Sequence, residues 1–131
     1  MTIQSAQEFI TLRSSDDREM YDRAAREDAP LEIWLELIER HPAMRKWVAY
    51  NKTVPLEILD TLANDEDYRV RAMVAMRRKL SPELLRRLAG DSDEGVRLLV
   101  VKHRNTPRDV LEALLSDSWD AVRQEAAKRL A

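Results

Sequence analysis

Cysteine is absent from the chain. Its absence excludes disulfides, thiolate metal sites, iron–sulfur clusters and a cysteine nucleophile. Glycine is nearly absent too, with only Gly90 and Gly95 in 131 residues. Such scarcity argues against an all-β fold and leaves no Gly-rich loop to cradle a phosphate. Histidine is limited to His41 and His103, and neither has a second histidine at metal-ligand spacing. Long apolar runs are missing, and the stretch from Met1 to Ala6 lacks the basic-then-apolar order of a signal peptide. The expectation is a cytoplasmic chain with no membrane span, no metal and no cofactor.

Charge and apolar content are plentiful. Charged residues make up 35% and hydrophobic residues 44%, enough to bury a continuous core. The formal net charge of −2 speaks against a generic nucleic-acid binder. The charge is unevenly spread, however. Residues 1–40 hold ten acids against five bases, whereas residues 41–131 hold fourteen acids against seventeen bases. A local basic surface is compatible with that distribution.

Three Val-Arg pairs, Val70-Arg71, Val96-Arg97 and Val122-Arg123, recur at a pitch of 26 residues, and Met44-Arg45 lies one pitch upstream. Asp65, Asp91 and Asp117 keep the same spacing, as do Leu59, Leu85 and Leu111. Each unit reads as two helices. The first opens near Pro30, Pro55, Pro82 or Pro107, since proline loses nothing in a first helical turn. Ser81 and Thr106 are candidate N-caps there. Apolar columns follow at Ile33/Ile58/Leu84/Val110, Trp34/Leu59/Leu85/Leu111, Leu37/Leu62/Leu88/Leu114 and Ile38/Ala63/Ala89/Leu115. Offsets of this kind make one helical face.

A short acidic turn leads to the second helix, with Ser92 and Ser118 as candidate caps. Its core columns are Met44/Val70/Val96/Val122 and Val48/Val74/Val100/Ala126. Next comes the small-residue column Ala49/Ala75/Val101/Ala127. Residues 1–29 read as a diverged capping unit. A helix runs from Ala6 to Arg13, and a second, capped by Ser15 or Asp16, runs to about Glu27. The predicted fold is all-α: one domain over residues 1–131, with four repeats in 30–131. About five helix pairs stack into a right-handed α-solenoid of HEAT/armadillo type.

The pattern Pro-x-x-[Ile/Val]-Leu-x-x-Leu-[Ala/Leu]-x-Asp-x-x-x-x-Val-Arg-x-x-[Val/Ala]-[Ala/Val] resembles the leucine-rich repeat variant, a family among the HEAT-like α-solenoids. The resemblance covers residues 30–131 well and residues 1–29 weakly. The founding type carries a cysteine-ligated iron–sulfur module, which does not transfer to a chain without cysteine. What the resemblance implies is a binding scaffold, although some HEAT-like relatives are DNA-repair glycosylases. It also implies that Asp65, Arg71, Asp91, Arg97, Asp117 and Arg123 tie adjacent turns together as a structural ladder, not an active site.

Two surfaces remain as candidates. One is the outward face of the second helices, carrying Lys46, Tyr50, Ala72, Met76, Leu98 and Lys102. An apolar strip of Tyr50, Met76 and Leu98 with basic neighbours suits protein binding. Trp47, Met73 and Leu99 fall nearer the core. The other is a basic ridge at the ends of the second helices, Arg77, Arg78, Lys79, Lys102, His103 and Arg104, with Lys52, Lys128 and Arg129 at matching places. It suits an acidic protein or a nucleic-acid backbone, though it has no interleaved aromatics on which bases stack. The expected function is a non-enzymatic scaffold whose partner is another protein, in the manner of an inhibitor or immunity protein. Polyanion binding is the alternative, and a glycosylase-type enzyme ranks last.

Overall fold

The computed structural model describes residues 2–131. Ten α-helices and one 3-10 turn account for their regular structure, apart from an isolated β-bridge between Thr2 and Asp28. The helices are six to eleven residues long. Isolated helices shorter than about 12 residues are marginal in water, so packing holds these in place. The chain divides into two compact units, one ending at Asn64 and the other comprising Asp65–Ala131.

The first unit contains α1 (Ala6–Ser14), α2 (Arg18–Arg26), α3 (Leu31–Arg40), α4 (Arg45–Tyr50) and α5 (Leu56–Leu62). A 3-10 turn at Pro42–Met44 leads into α4. Helix α1 packs on α2 and α3, while α4 packs on α2, α3 and α5. Phe9 and Trp34 meet edge to face at 5.5 Å in a core shared with Ile3, Leu12 and Leu37. Such an aromatic pair adds about 1 kcal/mol beyond the area it buries. The Ser5 hydroxyl caps α1 by accepting from the Glu8 N–H at 3.0 Å. Glu8 in turn accepts from the Gln4 N–H at 2.7 Å, a variant of the capping box.

The second unit contains α6 (Tyr68–Ala75), α7 (Pro82–Ala89), α8 (Glu94–Lys102), α9 (Arg108–Leu114) and α10 (Asp120–Leu130). Helices α6, α8 and α10 pack in succession as one layer, and α7 packs on α9 as the other. This is the packing of a helical repeat. The predicted columns fill its core: Leu84, Leu85, Leu88, Val96, Val100, Val122 and Ala126 are all buried. Leu115 and Ala127, last in their columns, are exposed.

The turns differ from expectation in one systematic way. Ser81 does cap α7, accepting from the Leu84 N–H at 3.2 Å. The second helices, however, are capped one residue later than predicted. Asp67 and Asp93 cap α6 and α8, Trp119 occupies the cap position of α10, and Asp17 caps α2. Ser92, Ser118, Ser15 and Asp16 are not the caps. The reason lies two residues upstream of each cap. Asp65, Asp91 and Asp117 accept the N–H of Asp67, Asp93 and Trp119 at 2.9, 2.9 and 2.8 Å. These side-chain turns absorb one more residue before the helix starts. Ser15 does the same for the Asp17 N–H at 3.0 Å. Thr106 is not a cap either; its buried hydroxyl donates to the Val100 carbonyl at 2.5 Å.

Candidate interaction surfaces

The most chemical-looking residues are occupied with one another. Arg71 donates to both carboxylate oxygens of Asp91, from Nε at 2.8 Å and Nη2 at 3.1 Å, and from Nη1 to the Asp65 carbonyl at 2.7 Å. Twenty-six residues on, Arg97 binds Asp117 at 2.8 and 3.2 Å and the Asp91 carbonyl at 2.7 Å. Each guanidinium thus joins two successive inter-helix turns. Arg123 keeps the carbonyl contact, to Asp117 at 2.8 Å, but turns its other nitrogen to Asp120. In the Arg97–Asp117 pair the side chains are 13% and 7% exposed.

Hydrogen bonding to the carboxylates raises both arginines above their ordinary value against the opposing effect of burial. At Asp117, burial works against the charged form. The bonds from Arg97 and the Trp119 N–H, with the charges of Arg97 and Arg123, outweigh it and hold the carboxyl below its usual range.

A second polar column was not foreseen. Asn51, His103 and Arg129 stand at related places, at or near the ends of second helices, and each reaches main-chain carbonyls at the end of an earlier one. Buried Asn51 donates to the carbonyls of Ala24 and Glu27 at 2.7 and 2.9 Å. The His103 Nε2 lies 2.6 Å from the Arg77 carbonyl, and its Nδ1 accepts from the Asn105 N–H at 3.1 Å. Arg129 donates to the carbonyls of Val101 and His103 at 2.9 and 2.6 Å. Orphan carbonyls at helix ends are satisfied in this way. The common partner is backbone, so no complementary side chain marks the column in the sequence.

This column alters the basic ridge. His103 is only 8% exposed and belongs to the interior, not to a polyanion-binding surface. Arg77 is half-buried, and desolvation lowers it from the ordinary guanidinium range. Arg78, Lys79, Lys102 and Arg104 are exposed. Their two turns are joined by a bond from the Asn105 amide to the Arg78 carbonyl at 3.2 Å.

The other predicted surface residues fall in both units. Lys46 and Tyr50 lie on α4 of the first unit, where Tyr50 is exposed and touches Trp47 edge to face at 6.1 Å. Ala72, Met76, Leu98 and Lys102 lie in the second unit, on or at the end of the neighbouring helices α6 and α8. Met76 is 60% exposed, more than any other large hydrophobic residue among those described. Leu98 and Ala72 are half-buried and Lys102 is exposed. The 26-residue register sets Ala72 beside Leu98 and Met76 beside Lys102.

The leucine rich repeat variant model matches residues 68–93. The matched repeat runs from the start of α6 to the cap of α8 and includes Arg71 with its partner Asp91. It is a structural helical repeat, and it agrees with the resemblance read from the Val-Arg pitch. Comparison with curated proteins and with solved structures gave no match. Among the described residues no cluster of His, Asp or Glu has the makings of a metal site, and no helix is long and apolar enough to cross a membrane.

Proposed function

We propose that the chain is a non-enzymatic helical-repeat scaffold that binds another protein through the outward face of its second helices. In the second unit that face is Ala72, Met76, Leu98 and Lys102; in the first unit it is Lys46 and Tyr50. The observation that carries this reading is the exposure of Met76. A flexible, polarisable side chain stands in the open on a repeat whose core columns are otherwise closed, with Lys102 beside it in register. Methionine on an open helical face adapts to a partner's contours, and the adjacent charge sets orientation and on-rate. The helical-repeat match supports a scaffold role in the same direction.

The test begins with a pull-down from the native host and identification of the partner by mass spectrometry. Met76→Asp then leaves the helical circular dichroism unchanged and weakens the purified complex at least about tenfold, the equivalent of about 1.4 kcal/mol at an interface anchor. Capture that survives both Met76→Asp and Leu98→Asp places the binding face elsewhere.

A second reading is favoured by one observation: Arg78, Lys79, Lys102 and Arg104 are exposed on two joined turns. It is polyanion binding, with affinity that falls steeply with salt. Absence of DNA and RNA binding at low ionic strength ends it.

A further inference from the structure

The first helices of the repeats turn two columns to solvent. One, two residues before the first core column, holds Leu31, Leu56, Pro82 and Arg108. The other, two residues after it, holds Leu35, Asp60, Arg86 and Glu112. All eight residues are exposed. In the second unit these positions are proline or charged, and the charges are paired. Arg86 meets Asp109 at 3.2 Å and Arg108 meets Glu112 at 3.3 Å. Asp60, in the first unit, is engaged as well. Leucine fills the other three positions of the first unit, where Leu31 is 37%, Leu35 44% and Leu56 57% exposed. The neighbouring core residues Trp34, Leu37, Ile58 and Leu59 are closed without them.

Leu31 and Leu35 stand one turn apart on α3, where residues four apart are surface neighbours. At about 100° of rotation per residue, Glu39, Glu32 and Glu36 follow them around the exposed arc. Arg40 is the one base of that helix. Glu57 follows Leu56 on α5 as Glu32 follows Leu31 on α3. All four glutamates are exposed, and none pairs with a cation among the described residues. An apolar edge is therefore bordered by negative charge that the chain leaves uncompensated.

We infer that the exposed face of α3, with Leu56 of α5, is a docking surface for a basic amphipathic helix of a protein partner. Scattered leucines are ordinary on a surface. These three instead share one face and one register, and the second unit fills the same columns with proline and paired charge. Charge complementarity selects the occupant. The glutamates repel a phosphate backbone and an anionic lipid surface, and they attract lysine or arginine. The described residues offer no sheet edge beyond the isolated bridge between Thr2 and Asp28, so strand addition has no template and the contact is helix against helix. The matching partner carries apolar residues at i, i+3, i+4 and i+7 with basic residues along one border. This surface belongs to first helices of the first unit. It does not depend on the second-helix face proposed above.

The probe is the blocked peptide acetyl-Leu-Lys-Lys-Leu-Leu-Lys-Lys-Leu-Leu-Lys-Lys-Leu-amide, titrated into the full chain with ¹³C-labelled leucine methyl groups. The expected result is saturable binding with the largest shifts at Leu31, Leu35 and Leu56. The same peptide with glutamate for every lysine binds at least about tenfold more weakly. Leu31→Gln combined with Leu35→Gln keeps the helical circular dichroism and weakens the lysine peptide at least about tenfold. Glu32→Gln combined with Glu36→Gln weakens it at least about threefold and flattens its salt dependence. Equal binding of the two peptides overturns the inference without recourse to any variant. So does a titration that never saturates, or one whose largest shifts fall on other leucines. Self-association of the free chain that Leu35→Gln abolishes overturns it too, because a second copy is then the occupant. Met76→Asp leaves the titration unchanged, so failure here and failure of the second-helix face are separate results.

Discussion

The two units solve the same packing problem with different chemistry. In the second, charged pairs repeat: Arg71 with Asp91, then Arg97 with Asp117, each also closing on a carbonyl of the preceding turn. In the first, the centre is aromatic, with Phe9 against Trp34, and the polar ties run from Asn51 to backbone. Periodic polar residues in the second unit join successive turns, as Arg71 and Arg97 do. Arg13 of the first unit lies outside any repeating column; it stacks on Trp47, and its Nε is buried without a hydrogen-bond partner.

The contrast breaks most readily in the cores. Trp34→Ala costs about 4 kcal/mol and Leu85→Ala, in the same column, about 3 kcal/mol in urea unfolding. The gap reflects the ring contact with Phe9, for which Leu85 has no counterpart; equal losses erase it. Arg97→Ala costs about 2–3 kcal/mol, because it strands a mostly buried carboxylate. A double-mutant cycle with Asp117→Ala should return a coupling above about 1 kcal/mol. A coupling near zero removes the special status of the charged pairs.

Asp117 also gives that pair a pH signature. Its folded-state carboxyl is held below the unfolded value of about 3.9. The resulting stability is fully present above that pH and disappears as pH falls through the folded value. Asp117→Asn removes this part of the acid sensitivity, as read from urea midpoints across the acidic range. The smallest effects distinguish the caps: Ser81→Ala costs about 1 kcal/mol, whereas Ser92→Ala and Ser118→Ala stay within about 0.5 kcal/mol. A larger loss at Ser92 restores it as the cap.

The pitch of 26 residues made the helices and the buried columns legible, because Val70, Val96 and Val122 must meet the same environment in each repeat. The caps slipped by one residue because Asp91 serves two roles at once. It accepts from the Arg71 side chain and also bends the turn through the Asp93 N–H. His103 looked basic and surface-bound because its neighbours Lys102 and Arg104 are. Its burial depends on a carbonyl of Arg77, and carbonyls leave no trace in residue identity. The stack on Arg13 escaped notice for a related reason. Trp47 and Tyr21 converge on it from different helices, outside any repeating column.

The two polar columns carry different evolutionary constraints. Arg71 and Asp91, or Arg97 and Asp117, are a matched pair, so a change at one stays tolerable only when its mate changes too. Across the joints Asn51, His103 and Arg129 meet peptide carbonyls, which every residue supplies. An amide, an imidazole and a guanidinium already fill that column within a single chain. Among diverging descendants the first column should drift by correlated double substitutions and the second by independent single ones, so the inter-repeat joints would record their history at two different rates.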